Sequence, residues 1–362
     1  MNSEVNASRP PAPAPPRAAA GDAGTTGTGP NGVPPRGGGN GGAPGGVEVL
    51  GTASAGGWPA DGCGCASCNR LRAAGVRHAP FDALIGGVPW AECDRTDVPG
   101  GHDVRGPAGE RVLVAAGPGS APEPAAGVRY DAVLLDLAGA PEHLGRLRGA
   151  GAVTAETHVA AVHVDHRVPS PAELGRRLGF WLRPDAGPWR TLLLGGSRSG
   201  KSAEAELRLA ACPDVTYVAT GGARDGDAEW AARVEAHRRR RPSRWRTVET
   251  TDVAGVLESA GGAVLVDGIG TWLAAAMDET GAWDDPAAAV PRVLPRLDAL
   301  VAAWRGTAAR AVAVTDEVGL SLVPTTASGR AFRDALGLLN QRLAAESEET
   351  ALVVAGRVRE LA

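Results

Sequence analysis

Lysine is almost missing from this chain of 362 residues: all but one of its 37 basic residues are arginine, and the exception is Lys201. In a composition this rich in Ala, Gly and Arg, arginine has replaced lysine wherever either will serve. The surviving ammonium therefore marks a place that wants a compact point charge and not a planar guanidinium. Long apolar runs are missing too. No stretch of about 18 apolar residues occurs, so no membrane span is expected, and a Pro/Gly/Ala-rich beginning is no secretory signal; a cytoplasmic protein is the expectation. Neither sign of charge dominates, with 37 Lys+Arg against 41 Asp+Glu and a net charge of -4. No global basic field argues for nucleic acid or an anionic membrane as partner, although a phosphate-rich small ligand stays open. Five cysteines do not make a disulfide framework in a chain this long, and three of them crowd into Cys63, Cys65 and Cys68, a pattern that points to metal.

What is present divides the chain in three. Residues 1–46 hold 12 Gly and 9 Pro with hardly a large apolar side chain, which predicts a disordered tail. Residues 47–188 carry short apolar runs closed by glycine, namely VEVLG (47–51), ALIGG (83–87), RVLVAAG (111–117), DAVLLDLAG (131–139) and VAAVHVDH (159–166). With two short amphipathic helices expected at 141–151 and 171–181, this is a small strand-rich domain ending near RPDAGP (183–188). Residues 189–362 alternate apolar strand and helix: TLLLGG (191–196), helix 201–211, VTYVAT (215–220), charged helix 227–240, AVLVDG (263–268), a helix at TWLAAAMDE, a long helix ending near Arg305, ARAVAVTDE (309–317), helix 328–346 and ALVVAG (351–356). Near-continuous apolar strands separated by helices predict an α/β fold, a mostly parallel sheet with helices on both faces.

Gly195-Gly196-Ser197-Arg198-Ser199-Gly200-Lys201-Ser202 fits G-x-x-x-x-G-K-[ST] between an expected strand and an expected helix. The glycines let backbone N–H groups wrap a phosphate, and the helix N-terminus adds partial positive charge. Lys201 would reach the β- and γ-phosphates and Ser202 would hold Mg²⁺, with Asp267 at the end of AVLVD as its partner carboxylate. The motif implies nucleotide binding and leaves the reaction open among ATPase, GTPase, kinase and nucleotidyltransferase. No NKxD-type guanine-reading motif is evident, which argues against a GTPase switch.

Six of the seven histidines precede Arg167; after Thr191 only His237 remains, followed at once by Arg238, Arg239, Arg240 and Arg241. One reading is a surface helix whose basic last turn complements its dipole. The other is an imidazole nucleophile among guanidinium groups that bind phosphate bidentately, able to carry a nucleotidyl group as a phosphoramidate.

Several segments stand together in order and spacing: LLLGGSRSGKSAEAE (192–206), YVATG (217–221), AARVEAHRRRRPSRWRTVET (231–250), AVLVDGIGTWL (263–273), VAVTDEVGLSLVPTTASGRAFRDALGLLNQRLA (312–344) and ALVVAG (351–356). The set resembles the adenosylcobinamide kinase / adenosylcobinamide-phosphate guanylyltransferase family, over nearly all of 190–362. The resemblance implies a P-loop, RecA-like domain that phosphorylates adenosylcobinamide with ATP or GTP and then transfers GMP from GTP, through a histidine, to give adenosylcobinamide-GDP. It implies nucleotide contacts at Gly195 through Ser202, at Ala219, Thr220 and Gly221, at Arg238 through Arg241, and at Glu249 and Asp267. His237 would be the guanylylated residue, Lys201 the catalytic cation, and the assembly a homo-oligomer, a trimer. Glu317 to Pro324 with Arg330, Arg333, Asp334, Asn340 and Gln341 matches a family signature; its residues would face the corrinoid, a neighbouring subunit, or only each other. Two other readings are a P-loop kinase without guanylyl transfer and a nucleotide-binding regulatory module.

In the first domain, Cys-x-Cys-x-x-Cys can bring three thiolates to one zinc and leaves a fourth position for a distant ligand. Segments 47–72 and 162–170 resemble the start and end of metallo-β-lactamase-fold proteins, especially their phosphonate-pathway phosphodiesterase branch. That resemblance implies His166 as the fourth ligand to Cys63, Cys65 and Cys68 around a structural zinc, and puts His163 where the family has a catalytic metal ligand. The family's early H-x-H-x-D-H cluster has no counterpart between Leu84 and Val128, where His102 is the only histidine. A shortened, zinc-stapled remnant with a packing or regulatory role is expected there; a Cys cluster without metal and a working hydrolase are the other readings.

Overall fold

The computed structural model describes residues 46–183, 188–221, 235, 238, 239 and 241–361. The expected tail, apart from Gly46, and nearly all of the expected helix 227–240 lie outside these residues.

The first half runs β1 (Val47–Gly51), α1 (Ala66–Ala73), β2 (Asp82–Ile85), β3 (Val88–Pro89), β4 (Asp94–Val98), β5 (Gly101–Arg105), β6 (Arg111–Ala115), β7 (Ala132–Leu135), α2 (Glu142–Gly149), β8 (His158–Ala161) and α3 (Pro171–Trp181). Strands β1, β2 and β3 form an antiparallel sheet; β4 to β8 form a second sheet in chain order, antiparallel from β4 to β6 and parallel from β6 to β8. Helix α3 starts where Ser170 accepts a hydrogen bond from the Glu173 N–H, with Pro171 in the first turn, where its missing donor costs nothing. The run VAAVHVDH is strand only as far as Ala161. His163, whose φ is +57°, and the residues after it form a loop, because from there the backbone no longer follows β7.

The second half runs β9 (Trp189–Gly195), α4 (Lys201–Leu209), β10 (Val215–Ala219), β11 (Arg246–Glu249), α5 (Val253–Ser259), β12 (Ala263–Asp267), α6 (Ile269–Glu279), α7 (Ala289–Gly306), β13 (Arg310–Asp316), α8 (Ala327–Ala345), β14 (Glu349–Val354) and β15 (Arg357–Glu360). Its seven strands lie in the order β11-β10-β12-β13-β9-β14-β15, parallel except for β15, which returns antiparallel along β14. Alternate residues of each strand point to opposite faces. Leu192, Leu194, Val264, Val266, Ala311 and Ala313 pack with α5 to α8, while Leu193, Leu265, Val312 and Val314 pack with Ala205 and Leu209 of α4. Both faces are covered, so the strands read as unbroken apolar runs.

The two halves share buried surface. Phe180 and Trp181 of α3 pack with Leu147 and Ala211, and the Trp181 indole N–H donates to the Leu207 carbonyl at 2.8 Å. Arg148 donates to the carbonyls of Trp181 and Ala211 at 3.0 and 2.8 Å. Nearly buried Arg310, at the start of β13, donates to the Phe180 carbonyl at 2.8 Å.

Candidate nucleotide site

Strand β9 delivers the chain to Gly195, and α4 begins at Lys201. A Cβ on Gly195 would sit 2.7 Å from the Val353 carbonyl oxygen, so the close approach of loop and β14 requires glycine there. Gly200 caps α4 with φ +99°, a conformation side chains resist. The loop is anchored on both sides, with Gly356 N–H donating to the Ser199 carbonyl at 2.8 Å and Glu317 N–H to the Gly195 carbonyl at 3.2 Å.

Lys201 Nζ stands 3.1 Å from the Gly196 carbonyl oxygen and 2.8 Å from Asp316 Oδ1 at the end of β13. Ser202 Oγ donates to Asp267 Oδ1 at 3.2 Å, and Tyr217 donates to the other carboxylate oxygen at 2.5 Å. Burial first, then the Asp267 charge, push the Tyr217 phenol far above its ordinary value, so it serves as a donor at every working pH. Arg241 lies over the Tyr217 ring, 3.8 Å from its centroid, and donates to Thr247 Oγ1 at 3.1 Å. These side chains line a cavity of about 420 Å³ at the C-terminal ends of the parallel strands. Its wall also includes Ala219, Gly221, Arg238 and Glu249 from the expected set, together with Thr271 and Val314.

Other expected residues stand beside the cavity. Gly195 to Gly200 form the turn behind Lys201. The Thr220 hydroxyl bonds the Gly268 carbonyl at 2.6 Å and Thr271 Oγ1 at 2.6 Å, fixing the left-handed Gly268 that caps α6. Arg239 is exposed and pairs with Glu235 at 3.1 Å. His237 and Arg240 lie outside the described residues. Asp316, Tyr217 and Thr271 were not among the expected site residues. Asp316 had a visible signal, a carboxylate closing an apolar strand of a parallel sheet, whereas Tyr217 reads as one more core aromatic.

The family described as cobinamide kinase / cobinamide phosphate guanyltransferase matches residues 191–361. The bifunctional adenosylcobalamin biosynthesis protein CobU of Salmonella typhimurium is 38% identical over 174 residues, which are 46% of this chain and 95% of that protein. The chain belongs to this family. CobU of Escherichia coli is 37% identical over the same length, again 95% of that protein. The CobP protein of Pseudomonas aeruginosa is 39% identical over 173 residues, 94% of its length. These relatives are thus matched almost entirely by the second half of this chain, and residues 46–183 are additional to what they share with it.

That additional part holds a second constellation. Cys63, Cys65, Cys68 and His166 bring one ligand atom each within 4.8 Å of one another. Cys65 caps α1, with Cys68 N–H 3.5 Å from its sulfur, and that contact holds the Cys65 thiol below its ordinary value. Cys63 Sγ is 3.9 Å from His166 Nδ1. The two contributing segments are tied by Ser67, whose hydroxyl accepts from the Trp58 indole at 3.1 Å and donates to the Val168 carbonyl at 2.7 Å. No second such group occurs among the described residues. Close to His163, Arg167 forks onto buried Asp136 at 3.0 and 3.1 Å and meets Asp165 at 2.8 Å, so a guanidinium supplies positive charge to these carboxylates.

Proposed function

We propose that the chain is a bifunctional transferase of cobalamin assembly, which phosphorylates adenosylcobinamide with ATP or GTP and then converts the phosphate to adenosylcobinamide-GDP with GTP. The observation that carries this reading is one cavity shared by the phosphate-loop Lys201 and Ser202, by Asp267, and by Arg238 and Arg241, which follow His237 in sequence. The names of the relatives and the order of the sheet, with β13 between the loop strand and the strand ending in Asp267, support it as a RecA-like kinase and guanylyltransferase.

In the first step Lys201 and the loop N–H groups hold the β- and γ-phosphates while the acceptor hydroxyl attacks the γ-phosphorus; an O–P bond forms, the β–γ bridging P–O bond breaks, the nucleoside diphosphate leaves and the hydroxyl proton passes to solvent. Ser202 Oγ and Asp267, 3.2 Å apart at the cavity wall, are oxygen donors that suit Mg²⁺, which would neutralise phosphate charge. In the second step a ring nitrogen of His237 attacks the α-phosphorus of GTP, a P–N bond forms, the bridging P–O bond breaks and pyrophosphate leaves. The phosphate oxygen of adenosylcobinamide phosphate then displaces the imidazole and takes the GMP group. Arg238 and Arg241 supply guanidinium groups for the charge on the triphosphate.

Three thiols and an imidazole within 4.8 Å match the donor set and spacing of a tetrahedral Cys₃His zinc site, so we assign Cys63, Cys65, Cys68 and His166 to one structural zinc in a metallo-β-lactamase-like remnant over 47–188. Zinc would cross-link α1 to the His166 loop. The kinase domain spans 189–362, and a cytoplasmic homo-oligomer, a trimer, completes the reading.

Incubation with α-labelled GTP, with and without adenosylcobinamide, tests the enzyme assignment. An acid-labile protein label that His237→Ala abolishes, and that chases into a corrinoid product, is expected. Label persisting on that variant removes His237 from the mechanism, and absence of any corrinoid product favours a nucleotide-binding regulatory module. Metal analysis of the purified chain should find one zinc, lost in Cys68→Ser.

A further inference from the structure

The loop between β13 and α8 presents Leu320, Leu322 and Val323 to solvent at 79%, 93% and 67% exposure. The other exposed large apolar side chains among the described residues, Leu50, Val76, Leu294, Val354 and Leu361, are scattered and less exposed. Single exposed apolar residues are ordinary, whereas three within four positions form a patch that calls for an occupant. The patch is held in place: Glu317 Oε1 accepts from Gly319 N–H at 2.7 Å, Ser321 Oγ donates to the Val318 carbonyl at 2.6 Å, and Arg333 donates to the Gly319 carbonyl at 2.5 Å. Arg330 donates to the carbonyls of Pro324 and Thr325 at 3.0 and 2.8 Å. With its backbone held in this way the loop keeps its apolar side chains out in solvent.

Its position is fixed by the cavity. Asp316, 2.8 Å from Lys201, lines the cavity and immediately precedes the loop. Four residues of chain reach at most about 14 Å and six about 21 Å, so Leu320 and Leu322 stand within that range of Asp316. A cavity of about 420 Å³ lined by Lys201, Arg238 and Arg241 takes one phosphorylated nucleotide. A corrin macrocycle is larger than a nucleotide and cannot share that space with it. Only the arm that ends in the acceptor hydroxyl needs to enter, and the ring must rest against the rim.

We propose that Leu320, Leu322 and Val323 form the apolar platform on which the corrin ring of the acceptor lies while its hydroxyl arm reaches toward Lys201; this rests on the cobinamide reading of the site. The methyl-bearing faces of a corrin are the apolar partner such a platform fits, and the nucleotide makes no use of it.

The test uses the full chain carrying L320S, L322D and V323D, changes at solvent-facing positions that leave the core untouched. Equilibrium dialysis with adenosylcobinamide, read by its own visible absorbance in the presence of a non-hydrolysable ATP analogue, should show affinity about tenfold weaker or worse. Nucleotide affinity and the α-labelled GTP adduct should match the parent chain, and sedimentation should give the same assembly. Unchanged corrinoid affinity overturns the platform. A changed assembly also overturns it, because the patch is then a contact between copies of the chain. A parent chain that binds nucleotide but not corrinoid overturns the cobinamide reading itself, and the platform with it.

Discussion

Arg176 of α3 grips Glu204 of α4 with both ends of its guanidinium, Nη1 to Oε1 at 2.6 Å and Nη2 to Oε2 at 3.1 Å. Glu204 lies in the first turn of the helix that begins with Lys201 and Ser202, and its side chain is only 8% exposed. The additional half of the chain thus holds the phosphate-loop helix through a desolvated ion pair, continued by Arg208, which bonds Glu204 at 2.8 Å and Glu349 at 2.6 Å. Removing one member of a buried pair leaves the other charge inadequately solvated. Glu204 keeps Arg208 when Arg176 is removed, so Arg176→Ala should lower unfolding stability by about 2 kcal/mol, the loss of charge-assisted hydrogen bonds and not of every partner, measured by urea titration. Glu204→Ala should cost a similar amount, and the double variant less than the sum, because the two changes break one shared contact.

Lys201 is occupied by Asp316 at 2.8 Å, and a phosphate must compete with that carboxylate for the ammonium. Asp316 is half-exposed, and pairs of that kind contribute roughly 0–1 kcal/mol. Asp316→Asn should accordingly tighten ATP binding by no more than about fivefold in calorimetric titration. Lys201→Arg should instead cost roughly 100-fold or more in turnover of the kinase step, because the planar fork does not replace a point charge on the transferring phosphoryl group. Near-normal turnover would refute the meaning given to the lone lysine.

Tyr217 and Ser202 each donate to one oxygen of Asp267, at 2.5 and 3.2 Å. Tyr217→Phe removes the phenol's hydrogen bond to one carboxylate oxygen and leaves more of the negative charge at the place where the Mg²⁺ donors lie. The Mg²⁺ concentration giving half-maximal kinase rate should fall, by up to about tenfold for a charge-assisted hydrogen bond. The rate at saturating Mg²⁺ should change little. Kinase assays across a magnesium series check both; a rise in the half-maximal concentration would mean that the phenol orients Asp267 for the metal.

How much of this was legible in the sequence differs from element to element. The runs TLLLGG, AVLVDG and ARAVAVTDE announce buried parallel strands because both faces of the sheet are covered, and the phosphate loop is recognisable because its spacing is its mechanism. Cys63, Cys65 and Cys68 are adjacent in sequence, but His166 joins them only through the fold, and resemblance to a known fold was needed to single it out. The β4–β5 hairpin has no such signature, since Asp94–Val98 is almost wholly exposed and shows no apolar alternation; its backbone ladder alone makes it a strand. Arg310 and Arg208 look like surface charges in a chain full of arginine, yet both are nearly buried where the halves meet. Tyr217 owes its place in the site to strand order, which no local pattern encodes, whereas Asp316 carries a local signal as the carboxylate that closes the apolar strand β13.

Glu348 gives the pH dependence its clearest sign. It precedes β14 and holds Arg190 of β9, with Arg190 Nη2 at 2.5 Å from Oε1 and the Arg190 backbone N–H donating to Oε2 at 2.6 Å. The hydrogen bonds from Arg190 outweigh burial and lower its carboxyl from 4.5 to about 2. A depressed folded value means that the native state binds fewer protons than the unfolded chain between those two limits, so this contribution is complete above about pH 4.5 and is lost as pH falls toward about 2. Glu348→Gln cannot ionise and lacks the contribution at every pH. Urea melts of the parent and the variant should therefore differ most at neutral pH and converge as the pH is lowered below 4.5. A gap that stays constant down to pH 3 would show that the clamp on β9 and β14 owes nothing to the charge of Glu348 and rests on its hydrogen-bonding shape alone.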